Sequence, residues 1–174
     1  MPIYEFDGKK PQIPTDSFVH PDAVLIGDVQ LGHECLIAPG VCIRADFGLI
    51  KIGDRSNVQD TSVIHVDTGK TVIIEEDVSI AHGVILHDVH IKARCLVGMG
   101  AVVMHNVVCG EDAIVAAGSL VLQGMQIPAG KIAMGNPAKI VGDVGDRHKE
   151  SARYGINVYR GLCRKYLTTM KRIV

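Results

Sequence analysis

Three features of the sequence predict an all-β protein that folds as a left-handed parallel β-helix, built on a hexapeptide repeat and followed by a C-terminal α-helix. Large aliphatic residues recur every six positions, smaller residues recur four positions after many of them, and aromatic residues are scarce. Hydrophobic residues make up 47% of the 174 residues, yet aromatic residues make up only 4% and Trp is absent. A core of Val, Ile, Leu and Ala suits thin stacked layers of strands better than a core built around large rings.

The period of six is the strongest of these signals, because neither the 3.6-residue period of a helix nor the alternation of an ordinary strand produces it. Each six-residue unit is expected to form one flat side of a triangular coil, with the large residue inside and the small residue at the tight corner. Three units make a turn, and successive turns stack through parallel-strand hydrogen bonds. The large residues are Val19, Leu25, Leu31, Ile37, Ile43, Ile52, Val58, Ile64, Ile74, Ile80, Leu86, Ile91, Val97, Val103, Cys109, Val115 and Val121. The small residues are Cys35, Val41, Ser56, Ser62, Val78, Val84, Cys95, Ala101, Ala113 and Ser119.

The repeat is interrupted twice by longer sides, one from Ile43 to Ile52 and one from Ile64 to Ile74. The second holds residues 67–70, Asp-Thr-Gly-Lys, whose turn composition predicts a small loop that bulges from the coil. The first holds residues 44–48, where charged side chains stand beside a core track.

The repeat ends near Val121, and a turn-rich exit leads to a helical pattern over residues 146–171. An apolar stripe predicts that this helix covers a flank of the β-helix. The sequence thus divides into a β-helix domain, residues 1–140, and a helical segment, residues 141–174. The stripe consists of Ala152, Ile156, Tyr159, Leu162, Tyr166 and Met170.

Composition excludes several classes of protein. The net charge is −1 and the repeat contains no basic run, so a nucleic-acid partner is not expected. No apolar run approaches the length of a membrane span, and the first residues lack the layout of a signal peptide. The five cysteines include no C-x-x-C pair. We therefore expect small buried thiols and a cytoplasmic location, rather than a disulfide framework or a zinc ribbon.

The positions of three histidines relative to the inward residues of the six-residue repeat indicate a metal site. His65 directly follows the inward residue Ile64, His87 directly follows Leu86, and the two histidines are 22 positions apart, which is three sides plus a four-residue loop. They are therefore expected at equivalent corners of successive turns, about 5 Å apart, where both could reach one ion. His82 has a different phase and is expected to serve the metal of a neighbouring subunit, in a homotrimer with three identical sites.

Other polar residues are sorted by the same phase. Arg44 and Asp46 are expected at the contact edge about one turn before His65, where they could form a pair between subunits, although a solvated surface pair is nearly as plausible on composition. The remaining histidines show no shared phase with the three above and are interpreted as solvated or locally hydrogen-bonded. They are His20, His33, His90, His105 and His148.

Taken together, these motifs resemble the γ-class carbonic anhydrases, a family whose close relatives include the carnitine-operon and phenylacetate-degradation proteins of the same fold. The resemblance rests on the repeat and on residues 44–46, 57–60, 64–65 and 81–87, and it continues through residues 135–139 to the terminal helix. The combination of the three-histidine spacing with Asn-Val-Gln-Asp is specific. The hexapeptide repeat alone is not, because many acyltransferases share it.

The resemblance implies reversible hydration of CO2 by a metal hydroxide at the subunit interface. It implies a Zn2+ ion, or alternatively Fe2+ or Co2+, held by His65 and His87 of one subunit and His82 of another. It also implies that Gln59 holds the metal-bound hydroxide or an oxygen of the substrate. Three neutral imidazoles would leave the ion its charge and an open position, as such hydration requires.

The resemblance gives five further residues a role. Arg44, Asp46 and Asp60 would link subunits near the bicarbonate site. Asn57 and Tyr159 would line the pocket, with Tyr159 contributed by the terminal helix.

Two departures from the founding member of the family concern proton transfer. Phe47 replaces an acidic residue, and the loop at residues 67–70 replaces a longer acidic loop, so slower turnover is expected.

Three alternatives remain open: hydrolysis of an acyl-CoA thioester at the same metal site, acyl transfer as in other hexapeptide-repeat proteins, and a non-catalytic metal-binding or scaffold role. No long protruding loop with a catalytic histidine supports acyl transfer, and Gln59 beside an open metal position argues mildly against the scaffold.

Overall fold

The computed structural model describes residues 2–174 as a left-handed parallel β-helix of about seven turns with one C-terminal helix. The predicted fold class is confirmed. The strands are β1 Ile3–Tyr4, β2 Phe18–Val19, β3 Val24–Leu31, β4 Leu36–Ile37, β5 Cys42–Ile52, β6 Asn57–Val58, β7 Val63–His65, β8 Thr71–Ile74, β9 Ser79–Ile80, β10 Ile85–His87, β11 His90–Ile91, β12 Leu96–Val97, β13 Val102–Val103, β14 Val108–Cys109, β15 Ile114–Val115, β16 Leu120–Val121, β17 Gln126–Ile127, β18 Lys131–Gly135 and β19 Ala138–Asp143. The helix α1 is Asp146–Thr169.

The strands form three flat faces, as a triangular coil requires. One face, here called the histidine face, contains β5, β7, β10, β13 and β16 in parallel register. A second face continues from the far end of β5 through β8, β11, β14 and β17. The third, here called the helix face, contains β2, β4, β6, β9, β12, β15 and β18, and β19 closes it by pairing antiparallel to β18.

The inward positions predicted from the six-residue period form the core. Leu25, Ile43, Ile64 and Leu86 are all 0% exposed, and the other inward residues are buried in the same cluster. Such a core is extended by adding turns rather than by adding larger side chains. Burial of each branched aliphatic side chain contributes about 1.5–3 kcal/mol relative to leaving it in water.

The small residues stand at the corners for two reasons, size and hydrogen bonding. Ser56 is 1% exposed, and its hydroxyl donates to the carbonyl of Glu75 at 2.7 Å and accepts from the N–H of Val78 at 3.0 Å. Ser62 repeats this arrangement with Ala81 and its neighbours. These hydroxyls satisfy backbone groups that the corner would otherwise leave buried without partners.

The two long sides behave differently. The side from Ile43 to Ile52 is one continuous strand, β5, in which Ala45 and Ile50 are two further buried residues. The side after Ile64 contains the predicted loop, because residues 67–70 lie between β7 and β8. β5 therefore spans two faces and carries Arg44 and Asp46 at the corner between them.

The terminal helix begins where the sequence predicts and ends two residues earlier, at Thr169. It packs on β2, β4, β6 and β9 of the helix face. Ile156 and Cys163 are its buried residues, whereas Met170 is 43% exposed, so its place in the apolar stripe was wrong. Met170 lies at the C-cap, directly after the last helical residue.

The cysteines behave as small core residues. All five are free, and all except Cys42 are buried. Burial raises the pKa of the Cys35 and Cys95 thiols to about 12, which keeps them protonated and unreactive near neutral pH. Within residues 2–174, the structure contains no helix long and apolar enough to cross a membrane.

Candidate metal centre

His65 and His87 lie side by side on the histidine face. They are register partners in β7 and β10, and their ring centroids are 4.8 Å apart. Nδ1 of His65 lies 2.9 Å from Nε2 of His87. The stacking predicted from their 22-residue spacing is confirmed, and it follows from the identical position of each histidine after an inward residue.

Asp46 and Arg44 continue this arrangement one turn earlier. Arg44 is the register partner of His65, and it donates a hydrogen bond to Asp46 of its own chain. The other carboxylate oxygen of Asp46 lies 3.0 Å from Nε2 of His65. Burial would raise the pKa of Asp46, but the hydrogen bonds from Arg44 and His65 outweigh it and hold that pKa below its ordinary value. The predicted pair thus exists within one chain, and its contact with another subunit stays a prediction.

His82 lies on a different edge of the molecule, after β9 of the helix face. Its Nδ1 is 2.8 Å from Oδ2 of Asp60, and its Nε2 is 3.5 Å from the Tyr159 hydroxyl. The His82 side chain is 47% exposed. Burial first, and the Asp60 charge second, raise the pKa of Tyr159. The structure therefore brings His82, Asp60 and Tyr159 together but does not bring His82 to His65 and His87 of the same chain.

A buried amide network stands next to His82. The side-chain amide of Gln59 donates to Oδ1 of Asn57 at 3.0 Å, and the Asn57 amide donates to the Ser79 hydroxyl at 2.9 Å. Asn57 is 1% exposed and Gln59 is 5% exposed. Gln59 is the first residue after β6 and His82 is the second residue after β9, and these two strands are neighbours in register. The network fixes the orientation of the Gln59 side chain at the same edge as His82.

The sequence predicts that His105 is solvated or locally hydrogen-bonded, and this is confirmed, but its position beside the ring of His87 was not predicted. The ring of His105 lies 4.1 Å, centroid to centroid, from the ring of His87. Nδ1 of His105 is 3.1 Å from Oδ2 of Asp88. The other four histidines outside the metal set do have local partners, namely Asp22 for His20, Asp16 for His33, Glu75 for His90 and Gly145 for His148.

The corner after Leu86 differs from the other corners near the site. At Arg55, Thr61, Gly83 and Asn106 the left-handed corner residue is the third after the inward residue, but at Asp88, with φ of 51°, it is the second. This side has five residues, since Ile91 is the next inward position. The sequence signal for the shorter corner was the spacing from Leu86 to Ile91.

The residues fit a divalent transition metal. A tetrahedral ion with bonds of ~2.0–2.1 Å holds two nitrogen ligands roughly 3.3 Å apart. The 2.9 Å between the facing nitrogens of His65 and His87 needs only a small opening to reach that geometry. Imidazole nitrogens are donors that Zn2+, Fe2+ and Co2+ accept. Within residues 2–174, the structure places no third histidine nitrogen beside this facing pair.

Comparison with known proteins agrees with the class that fold and site define, a hexapeptide-repeat β-helix protein. No family model matches the chain. The carnitine operon protein CaiE of Proteus sp. is 39% identical over 170 residues, covering 96% of this chain and 86% of the relative. CaiE of Escherichia coli K12 is 38% identical over 162 residues, covering 93% and 83%. The chain therefore belongs to the hexapeptide-repeat, γ-carbonic-anhydrase-like family that includes the carnitine operon protein CaiE.

Solved structures show the same relationship. The Bacillus cereus BC4754 product, provisionally described as an acetyltransferase, superposes with a TM-score of 0.94 at 36% identity, covering 97% of this chain and 98% of that one. A hexapeptide transferase family protein from Anaplasma phagocytophilum gives a TM-score of 0.91 at 30% identity, covering 94% and 97%. PerB from Caulobacter crescentus, solved with CoA and GDP-perosamine, gives 0.52 at 31% identity, covering 71% and 56%.

Proposed function

We propose that this protein is a trimeric, metal-dependent hydratase that interconverts CO2 and bicarbonate. The observation that carries the proposal is that the three candidate histidine ligands lie on two different edges of the molecule. His65 and His87 pair on one edge of the molecule, whereas His82 stands on another edge with half of its side chain exposed. Packing three copies around an axis brings the His82 edge of one copy to the His65 edge of the next, so each interface completes one site.

The surface beside the histidines supports such packing. Val63 and Ile85 are register partners on the outside of the histidine face, and they are 36% and 45% exposed. The same outward line continues through Val102 and Leu120, which are half-buried. An aliphatic stripe that runs along a face next to polar site residues is typical of an interface. A second copy of this chain is the occupant proposed for it.

His65 and His87 of one chain and His82 of the next would hold a divalent ion, which would supply Lewis acidity to the reaction. The residues of this chain bind and orient the other reactant. Gln59 lies on the same edge as His82 and is held in place by Asn57. Its side-chain amide could therefore donate a hydrogen bond to an oxygen of CO2 or bicarbonate. Arg44, with 41% of its side chain exposed, offers a cation to bicarbonate. Asp46 keeps the Arg44 guanidinium and the His65 ring in place through its two oxygens.

Stopped-flow measurement of CO2 hydration tests this proposal, on trimeric protein of assayed metal content loaded with Zn2+ or, anaerobically, with Fe2+. Activity should follow metal content and should be lost in His82→Ala. His33→Ala is the matched control, because His33 also pairs with a carboxylate but lies away from both edges of the proposed site. A metal-replete wild-type trimer that does not hydrate CO2 would overturn the hydratase.

Acyl transfer from CoA, or hydrolysis of a CoA thioester, is the second candidate. The observation that favours it is Phe47, which is 51% exposed with its ring 5.8 Å from that of His65. An exposed aromatic ring beside the site offers an apolar wall that CO2 does not need. The Caulobacter crescentus relatives include a perosamine N-acetyltransferase solved with CoA. CoA release from acetyl-CoA distinguishes the two reactions, since hydrolysis proceeds without an acceptor and transfer requires one.

A further inference from the structure

A second cluster of metal-ligating side chains stands on the other side of His87. One ligand atom from each of His87, Asp88 and His105 lies within 4.8 Å of the other two. The three residues belong to adjacent turns, and no step of the proposed hydration uses Asp88 or His105. Two imidazoles with one carboxylate are a donor set that divalent transition metals bind.

The carboxylate of Asp88 is held firmly at the centre of this cluster. Its side chain is 5% exposed, and its Oδ1 accepts a hydrogen bond from the N–H of Asp67 at 2.7 Å. Its Oδ2 faces both rings, 3.2 Å from Nδ1 of His87 and 3.1 Å from Nδ1 of His105. The carboxylate is therefore an oriented ligand.

Hydrogen bonding alone does not satisfy the cluster. Within residues 2–174, Nδ1 of His87 is shielded from solvent and has no hydrogen-bond partner, because its 3.2 Å contact with Asp88 lacks the required geometry. A buried ring nitrogen without a partner costs free energy. An ion between the three donors would remove that cost. The His105 side chain is 38% exposed, so an ion has a path to the position.

We propose that His87, Asp88 and His105 form a second binding site for a divalent transition metal such as Zn2+ or Co2+. The two sites share one imidazole, since Nε2 of His87 faces His65 and Nδ1 faces Asp88. The second site lies entirely within one chain and does not depend on the hydratase proposal. Simultaneous occupation of both sites would require the His87 ring to lose both nitrogen protons.

Metal titration of the trimer with the first site removed tests this inference. A His65→Ala, His82→Ala protein should still bind one Zn2+ per chain, and Co2+ should give the visible absorption of a nitrogen- and oxygen-ligated ion. Adding His105→Ala should weaken Zn2+ binding by more than roughly tenfold. Tenfold is the lower end of the loss caused by replacing residues that only support a ligand. Adding Asp88→Asn, which keeps the left-handed corner accessible, should do the same. Adding His33→Ala should change nothing.

Two results would overturn the inference. One is a folded His65→Ala, His82→Ala trimer that binds no Zn2+. The other is binding that persists unchanged when His105 is replaced. Folding is checked by circular dichroism and light scattering on each variant. Because the first site is absent throughout, failure here leaves the CO2 hydration result untouched, and failure of hydration leaves this result untouched.

Discussion

Nδ1 of His65 and Nε2 of His87 face each other across 2.9 Å, from identical positions on successive turns of the coil. This contact needs no special loop, because parallel register places equivalent residues about one strand spacing apart. Two ligands of the proposed metal site are thus a direct product of the stacking that builds the core. The third ligand, His82, has no such relationship to them within one chain.

Replacing either stacked histidine should abolish metal binding at the first site. We expect His65→Ala to lose Zn2+ from that site while keeping the fold, because the side chain is outward and the core residue Ile64 is unchanged. Metal analysis on protein that also carries His105→Ala isolates the first site from the second. His33→Ala is the control. Retention of one Zn2+ per chain in His65→Ala, His105→Ala protein would contradict the assignment.

Mixed trimers should recover activity from two inactive variants. A His82→Ala chain still presents His65 and His87, and a His65→Ala chain still presents His82. Refolding the two variants together in equal amounts should restore roughly a quarter of the sites, if subunits mix at random around a three-fold axis. The measurement is CO2 hydration after co-refolding, compared with each variant refolded alone. No recovery in verified mixed trimers would show that the ligands are not shared between chains.

The corner serine Ser56 should contribute measurably to stability. Ser56→Ala removes one hydroxyl that serves both the Glu75 carbonyl and the Val78 N–H, which leaves two buried backbone groups without that partner. We expect a loss of about 1–3 kcal/mol in the free energy of unfolding. Urea denaturation at fixed protein concentration measures it, because an oligomer's stability depends on concentration. Thr168→Ala, at an exposed helix position, should have little effect.

Glu34 should make stability depend on pH in the acidic range. Hydrogen bonds from Arg160 and Arg164 lower its pKa below the ordinary 4.5, and Arg164 Nε lies 2.8 Å from its carboxylate. A lowered folded pKa gives stability that is present above the unfolded value and lost as the pH falls through the folded value. We expect Glu34→Gln to cost about 1 kcal/mol near neutral pH, since the pair is partly exposed.

That cost should begin to shrink near about pH 4, where an unfolded glutamate takes up its proton, and should disappear once the pH is below the lowered folded pKa. Urea unfolding of wild-type and variant protein across this range gives the comparison. Asp146→Asn is the matched carboxylate control, since Asp146 lies at an exposed position in the first turn of the helix. A difference between wild type and Glu34→Gln that is constant with pH would contradict the role of the Arg160 and Arg164 pairs.

The sequence predicted the parts of this structure that follow from period. Ile64 and Leu86 are predicted to point inward, so the residue after each is predicted to lie outside at an equivalent corner. The stack of His65 and His87 could be predicted for that reason. A role for Tyr159 at the site was implied only by the family resemblance, and its contact with His82 was not predicted, because the rotation of a helix on a flat face is not encoded in the repeat.

What the sequence did not predict depends on local backbone conformation. The interpretation of His105 as solvated or locally hydrogen-bonded did not predict that its ring lies beside the ring of His87. Only the direction of the Asp88 side chain, at its left-handed corner, brings these residues together. Periodicity assigns a residue to a corner, but it does not specify where that corner aims the side chain.

The length of the five-residue side after Leu86, and not only the identity of its residues, therefore decides which side chains meet. Asp88 turns the corner one position early, and its carboxylate thereby meets two imidazoles that other turns would keep apart. Inserting one residue after Asp88 would move the corner onward and take the carboxylate away, with His87, Asp88 and His105 all unchanged. In a solenoid of this kind, a ligand set can thus be gained or lost by deletion or insertion alone, while every residue of the core keeps its place.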